Sequence, residues 1–378
     1  MPRTYTWALI YCLCVLLLHG CTFKPPLKIG FTAELTGHNA SLGVQGRNGA
    51  LLAVETINAQ GGVRGRPLEL LVRDDAGSPE RLLAADRELI DAGVIVLSGH
   101  MTSWEATAAY PLITETRTIL FSPTTSTPDL SGQADLFFRL IPVHDAQSAA
   151  LAQYAYQTLG LRRVAVLYDA DNRAFAETFA EGFARFFGSL GGSAEPRIGF
   201  SSTHLNADFA DLVAEVRAAR SDGLLIVASS FDAALIAQQT RLQDWNIPLL
   251  ASNWAYTPEL LSNGGRAVEG LLLSSHFNQD CSTPAYLDFK RRYEEAYGQG
   301  PSFVSLLAYE TIQVLAEGLA AADGQADQLR EELSRPREFA GLCDRVLLDE
   351  YGDVQRNLYL VEVQGGSFVI HQTIEPVP

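Results

Sequence analysis

Val94-Ile95-Val96-Leu97-Ser98-Gly99-His100-Met101-Thr102-Ser103-Trp104 is the stretch on which the reading of this chain turns. An apolar run breaks into a glycine-centred, hydroxyl-bearing loop, and a helix-like segment follows. The same arrangement recurs at Thr118-Ile119-Leu120-Phe121, which breaks into Ser122-Pro123-Thr124-Thr125-Ser126-Thr127-Pro128. Two such runs in one parallel sheet put both loops at its carboxyl edge, where open α/β sheets bind small ligands. Hydroxyls and free backbone N–H groups at that edge suit a carboxylate or another small anion.

Working outward, strand and helix patterns alternate. Upstream, residues 27–33 read as a strand and 34–43 as a loop, followed by an amphipathic helix at 49–58 carrying Leu51, Leu52, Val54 and Ile57. Gly61-Gly62 ends that helix. Residues 68–72 form the next strand, and Ser78-Pro79 opens a helix that closes at Gly93. Downstream, strands at 163–168, 197–200, 223–228, 248–251 and 271–275 alternate with helices at 145–158, 175–190, 208–219 and 231–243. Phe175, Phe179, Phe183 and Phe187 recur every four residues, a core-facing stripe, and Phe137 and Phe138 also read as core. Longer helices at 286–297 and 303–322 precede strands at 345–348, 358–363 and 368–372. This is an α/β pattern of parallel sheets with helices on both faces. A chain of 378 residues exceeds one compact core and divides into two domains.

Hydrophobic content of 47% with 19% charged residues is that of a globular protein. The net charge is −16, and Lys24, Lys28 and Lys290 are the only lysines. Nucleic acid needs a basic footprint and is excluded as a partner on this balance. At the N-terminus a basic Met1-Pro2-Arg3 precedes an apolar run over residues 7–18 and then Leu18-His19-Gly20-Cys21. The run is too short to span a membrane and reads as a secretory signal over residues 1–20. The small residue before Cys21 resembles a bacterial lipobox, with His19 as the one departure, so Cys21 is the expected lipidation site and residues 21–26 a tether. Cys281 and Cys343 remain; an oxidising compartment would let them pair, but two free buried thiols are slightly favoured.

The strand and loop at residues 27–43, the segment Ile57-Asn58-Ala59-Gln60-Gly61-Gly62-Val63-Arg64-Gly65 and the run Arg73-Asp74-Asp75 resemble type I periplasmic substrate-binding proteins of ABC importers. More narrowly, the resemblance is to the leucine/isoleucine/valine (amino acid or amide) branch, in lipoprotein form. Gly99-His100-Met101-Thr102-Ser103 and Ser122-Pro123-Thr124-Thr125-Ser126 fit that branch's two ligand loops, in order and spacing. The resemblance implies two Rossmann-like lobes, three hinge crossovers and a ligand enclosed by lobe closure. It divides the chain into lobe 1 (27–143 and 273–344) and lobe 2 (144–272 and 345–378). It also implies an extracytoplasmic location, an ABC permease as partner, membrane attachment through the lipid, and no cofactor. A family disulfide would join the loops holding Ala76 and Thr102, and neither is cysteine.

Thr102 and Glu105 fit a capping box, the favoured role for Thr102. The resemblance makes Ser103 a carboxylate contact and gives Thr124 and Ser126 backbone and hydroxyl contacts. On the second lobe it places Phe175 and Phe231 where the family carries tyrosines. Arg173 reads equally as a second anion contact or a solvated loop residue. The family's acidic partner for an ammonium falls at Asn253 or Trp254, neither of which is charged. An amide, a keto or hydroxy acid, or an aromatic carboxylate stacking on Trp254 is therefore expected as readily as an amino acid.

Two other classes compete. A secreted hydrolase would need a nucleophile elbow or zinc-spaced histidines, and the sequence offers neither, so no catalytic or metal-binding residue is expected. His100 lies near Ser103 but has no identifiable carboxylate partner in the sequence, and reads as a loop hydrogen-bonder. A ligand-sensing module acting through a separate receptor is the remaining alternative.

Overall fold

The computed structural model describes residues 24–203 and 209–375. The expected signal peptide and Cys21 lie outside the described residues. The chain opens with β1 (Leu27–Ala33), α1 (Ala40–Ala59), β2 (Leu68–Asp74), α2 (Pro79–Asp91), β3 (Val96–Ser98), α3 (Ser103–Thr116), β4 (Ile119–Ser122) and β5 (Phe137–Arg139). The five strands pair in parallel in the order β2-β1-β3-β4-β5. β3 and β4 are buried along their whole length, as an apolar run covered on both faces requires.

The chain then crosses to a second sheet and repeats the pattern. α4 (Asp145–Gln157), β6 (Val164–Asp169), α5 (Arg173–Ser189), β7 (Arg197–Phe200), α6 (Phe209–Ala218), β8 (Gly223–Val227), α7 (Ser230–Leu242), β9 (Leu249–Ala251), α8 (Pro258–Gly264) and β10 (Leu272–Ser275) follow in turn. β7-β6-β8-β9-β10 pair in parallel, so each lobe places its second strand beside its first and its third on the other side. The chain returns through α9 (Pro284–Tyr297), α10 (Phe303–Ala321) and α11 (Ala326–Leu333) to a small antiparallel sheet, β11 (Arg337–Ala340), β12 (Arg345–Leu348) and β13 (Val354–Gln355). A last crossing leads to β14 (Leu358–Gln364) and β15 (Ser367–Ile374), which extend the second sheet antiparallel beyond β10. The chain thus passes three times between the sheets. Arg139, at the end of β5, donates from Nε to Asp353 Oδ1 (2.6 Å), and buried Arg356 pairs with buried Glu310 of α10. These ion pairs tie the first and third crossings to the first lobe.

Several expectations change. α1 begins at Ala40, so the stretch expected as loop to residue 43 and then as helix only from 49 is one continuous helix. Its glycines hide the helix from a propensity reading, and packing explains them. A Cβ at Gly43 would stand 2.0 Å from the Glu34 carbonyl oxygen, one at Gly46 2.6 Å from Met101 Sδ, and one at Gly49 2.1 Å from the Ser305 carbonyl oxygen. α1 and α10 approach so closely that side chains would not fit. The strand expected at 94–97 lies at Val96–Ser98. Phe137 and Phe138, expected simply as core, form an edge strand. The boundary expected at residue 273 falls inside β10, which is hydrogen-bonded to β9 and β14 in the second sheet. Within residues 345–355, β12 pairs with β11 and β13 with β12 rather than with the second sheet, and Arg139 N–H donates to Gly352 C=O (3.0 Å).

Cys281 and Cys343 are disulfide-bonded, with Cα atoms 5.8 Å apart, so the expectation of free thiols is corrected. Cys281 lies in the second crossing and Cys343 between β11 and β12, which only the tertiary fold brings together. Closing a loop of 62 residues removes about 4 kcal/mol of unfolded-state entropy in the chain-entropy account.

Candidate ligand-binding site

The crevice between the lobes follows from the shared strand order. In each sheet the order reverses between the first and third strands, and loops after the strands face the gap. From the first lobe come Leu42 in α1, which follows β1; Met101, Thr102 and Ser103, which follow β3; Thr124, which follows β4; and Phe303 at the start of α10. From the second come Asn172 and Phe175, which follow β6, and Asn253 and Trp254, which follow β9. Together they line one narrow cleft between the lobes.

The first-lobe wall is built around Glu105. Thr102 is the N-cap of α3, and Glu105 Oε2 accepts the Thr102 N–H (2.9 Å) and the Met101 N–H (3.0 Å). The loop after β4 locks onto the same backbone: Thr124 Oγ1 donates to Met101 C=O (2.7 Å) and Ser122 Oγ to His100 C=O (2.7 Å). Each hydroxyl-rich loop therefore fixes the other, which explains why both carry Ser and Thr. Ser103 then opens α3, whose first N–H groups and positive dipole end face the crevice.

The second-lobe wall is aromatic and amide. Phe175 and Trp254 meet edge to face at 5.9 Å between ring centroids, and Phe175 continues onto Phe179 at 5.7 Å. Asn253 is buried, and its Oδ1 has no hydrogen-bond partner among the described residues. No charged side chain lines the pocket among the described residues. An ammonium there would meet amides and hydroxyls but no carboxylate.

Polar bridges close the lobes over this space. Asn172 Oδ1 accepts the Trp104 N–H at the start of α3 (3.2 Å). His38 Nε2 stands 2.9 Å from Asp232 Oδ2 at the start of α7. Ser41 Oγ (2.9 Å) and Gln45 Nε2 (3.0 Å) both donate to Glu259 of α8. The hydrogen bond to Asp232 raises the His38 pKa above its ordinary value against the opposing effect of burial.

Of the residues singled out in the sequence, Thr102, Ser103, Thr124, Phe175, Asn253 and Trp254 converge on one pocket. Three do not. Ser126 is buried behind the wall, where its C=O accepts the His144 N–H (3.2 Å). The Arg173 side chain is 70% exposed and pairs with Glu177 (3.2 Å), one turn along α5 and outside the pocket. Phe231 is 46% exposed and packs against His38 in a shallow groove on the far side of Trp254. Leu42, Met101, Asn172 and Phe303 were not singled out. Met101 and Asn172 adjoin residues that were, whereas Phe303 read only as the start of a long helix and carries no local signal.

His100 has the carboxylate partner that the sequence did not reveal. Its Nε2 lies 3.1 Å from Asp86 Oδ2, both fully buried. Burial alone would lower its pKa, but the charge and hydrogen bond of Asp86 outweigh it and push His100 up to about 9. Asp86 sits on α2, fourteen residues earlier in the chain, and only the packing of α2 against the sheet joins the two.

A family model described as periplasmic binding protein matches residues 26–367. Among relatives, the chain is 27% identical over 338 residues to the leucine-, isoleucine-, valine-, threonine- and alanine-binding protein of Pseudomonas aeruginosa, covering 87% of each. A leucine-binding protein from Thermotoga maritima superposes with a TM-score of 0.85 at 27% identity, over 93% of this chain and 99% of that one. A solute-binding protein from R. palustris, solved in complex with benzoate, superposes with a TM-score of 0.84 over 93% of this chain and 97% of that one. At 21% identity that last likeness speaks to fold alone.

Proposed function

The chain belongs to the periplasmic binding protein family, and from that premise we propose that it captures a small carboxylate-bearing metabolite between its lobes and delivers it to an ABC permease. The observation that carries the ligand class is the pocket lining. Ser103 and Thr102 at the start of α3 form the carboxylate end, with Thr124 beside them holding the Met101 carbonyl in place, and Phe175, Trp254, Leu42 and Phe303 surround an apolar body. Charge-assisted hydrogen bonds of this kind contribute roughly 1.5–3 kcal/mol each. With no carboxylate in the lining, an aromatic or branched acid lacking an α-amino group is favoured over its amino-acid counterpart. Lobe rotation about the three crossings admits the ligand, and the His38–Asp232 and Glu259 bridges hold the closed form.

A second reading, a branched-chain amino acid, draws on Asn253 Oδ1. Buried and unpaired at the pocket, it is an acceptor of the right kind for an ammonium. Calorimetry of the chain from Cys21 onward against benzoate, 4-methyl-2-oxovalerate and leucine separates the two. The first reading expects leucine to bind at least about tenfold more weakly than the best acid, a difference of about 1.4 kcal/mol. Leucine as the tightest ligand selects the second reading, and binding of none of the three overturns both. Attachment at the membrane surface through acylated Cys21 completes the proposal; Cys21→Ala should move the protein from the membrane to the soluble fraction.

A further inference from the structure

Behind the first-lobe wall, out of reach of the pocket, Asp75, His100 and Glu105 converge from three separate places. Asp75 follows β2, His100 follows β3, and Glu105 lies in the first turn of α3. All are fully buried, and one ligand atom from each lies within 4.8 Å of the other two. Each also carries a buried polar atom without a hydrogen-bond partner among the described residues: Asp75 Oδ2, His100 Nδ1 and Glu105 Oε1. Orphaned buried atoms are costly and call for an explanation. Three on neighbouring side chains, none forming an ion pair with arginine or lysine among the described residues, describe a set of donors without an acceptor.

We infer that Asp75, His100 and Glu105 form a binding site for a divalent transition-metal ion, zinc foremost, with one carboxylate oxygen each from Asp75 and Glu105 and His100 Nδ1 as ligands. His100 Nδ1 releases its proton to solvent on binding. The other side of each ligand is already arranged for that role. His100 Nε2 is held by the Asp86 carboxylate (3.1 Å), the outer partner that orients a metal-bound imidazole and leaves its second nitrogen free to coordinate. Glu105 Oε2 is fixed by the Met101 and Thr102 N–H groups, and Asp75 Oδ1 accepts the Gly77 N–H (2.8 Å). Three atoms at the observed separation leave a central point within about 3 Å of each, against about 2.0–2.2 Å for zinc bonds to nitrogen and oxygen. Small side-chain rotations close that gap. One imidazole and two carboxylates suit zinc or manganese, with water completing the shell. The ion would clamp the loop after β2 to the loop and helix that carry Thr102 and Ser103, stiffening the pocket wall without touching the ligand.

The test is metal content of the full mature chain after EDTA treatment, equilibration with Zn2+ or Mn2+, and desalting. About one equivalent of tightly held ion per chain, with a melting temperature several degrees above the EDTA-treated protein, is expected. Asp75→Asn and His100→Gln, each checked for native circular dichroism, should retain less than a fifth of that equivalent. Absence of a retained ion in the unsubstituted chain overturns the site, as does full retention in either variant. The first measurement needs no variant to fold, and neither depends on which solute the pocket takes.

Discussion

The two lobes share one strand order but bring different chemistry to the crevice. The first lobe presents apolar Leu42, Met101 and Phe303 together with hydroxyls and the start of α3, the hydroxyl-bearing loops after β3 and β4 bracing each other by hydrogen bonds. The second presents two rings and two amides, with Asn253 Oδ1 unpaired among the described residues. Topology therefore determines where the ligand sits and is silent about what it is. The braced wall is specialised for a feature shared by many metabolites, a carboxylate, and the facing wall is where discrimination resides. This division is open to attack by substitution.

Trp254→Ala should have the largest effect. The ring is buried at the pocket and meets Phe175 edge to face, so its loss should cost aromatic ligands about 2–3 kcal/mol, roughly 30- to 150-fold in Kd by calorimetry. Trp254→Phe should recover most of it. An equal loss for aliphatic and aromatic ligands would make Trp254 a lobe-packing residue and remove discrimination from the second wall. Asn253→Asp comes next, because it adds a carboxylate to a lining without one. Acids should weaken by about tenfold or more while α-amino acids gain. Parallel weakening of both classes would show that position 253 does not face the ligand's α-substituent. Ser103→Ala should follow, with about a tenfold loss that is the same for every carboxylate tested. A loss confined to one ligand would contradict the idea of a shared anchoring wall.

How much of this was legible in the sequence differs between the walls for a physical reason. The alternation of short apolar runs with helical segments sufficed for the parallel α/β architecture, since strands buried on both faces must be apolar throughout. The polar part of the first wall is local: Thr102, Ser103 and Glu105 belong to one turn, where the Thr102–Glu105 capping pair follows from spacing and the role of Ser103 from the family resemblance. Phe303 reaches the pocket from a helix two hundred residues downstream of that turn, and nothing beside it in sequence marks it. The start of α1 was obscured because its glycines answer to α10 and the Glu34 loop rather than to helix propensity. The Cys281–Cys343 disulfide and the His100–Asp86 pair are likewise contacts that only the folded chain creates. Arg173 and Phe231 erred differently: Arg173 adjoins Asn172 of the pocket but projects outside it to pair with Glu177, and Phe231 lies in a separate groove beside Trp254.

The smallest predicted effect bears on closure itself. His38 on the first lobe faces Asp232 on the second, with Asp169 and Glu34 adding to the negative field around it. Its pKa in the closed form is raised, chiefly by the Asp232 hydrogen bond, above the 6.5 it would have when the lobes part. A group whose pKa is raised on closure stabilises the closed form fully below its open-form value and loses that contribution as pH climbs through the raised one. Ligand affinity should therefore fall by about three- to fivefold as pH climbs from 6.5 through the raised value, the scale of one partly exposed ion pair. Asp169, pushed up to about 6 by burial, begins to lose its charge at the acid end, so the informative window starts above that value. His38→Asn keeps a donor toward Asp232 without a titrating proton and should flatten the profile. Persistence of the same slope in that variant would move the pH dependence away from the lobe contact, leaving closure to the Glu259 bridges and the Asn172 hydrogen bond to α3.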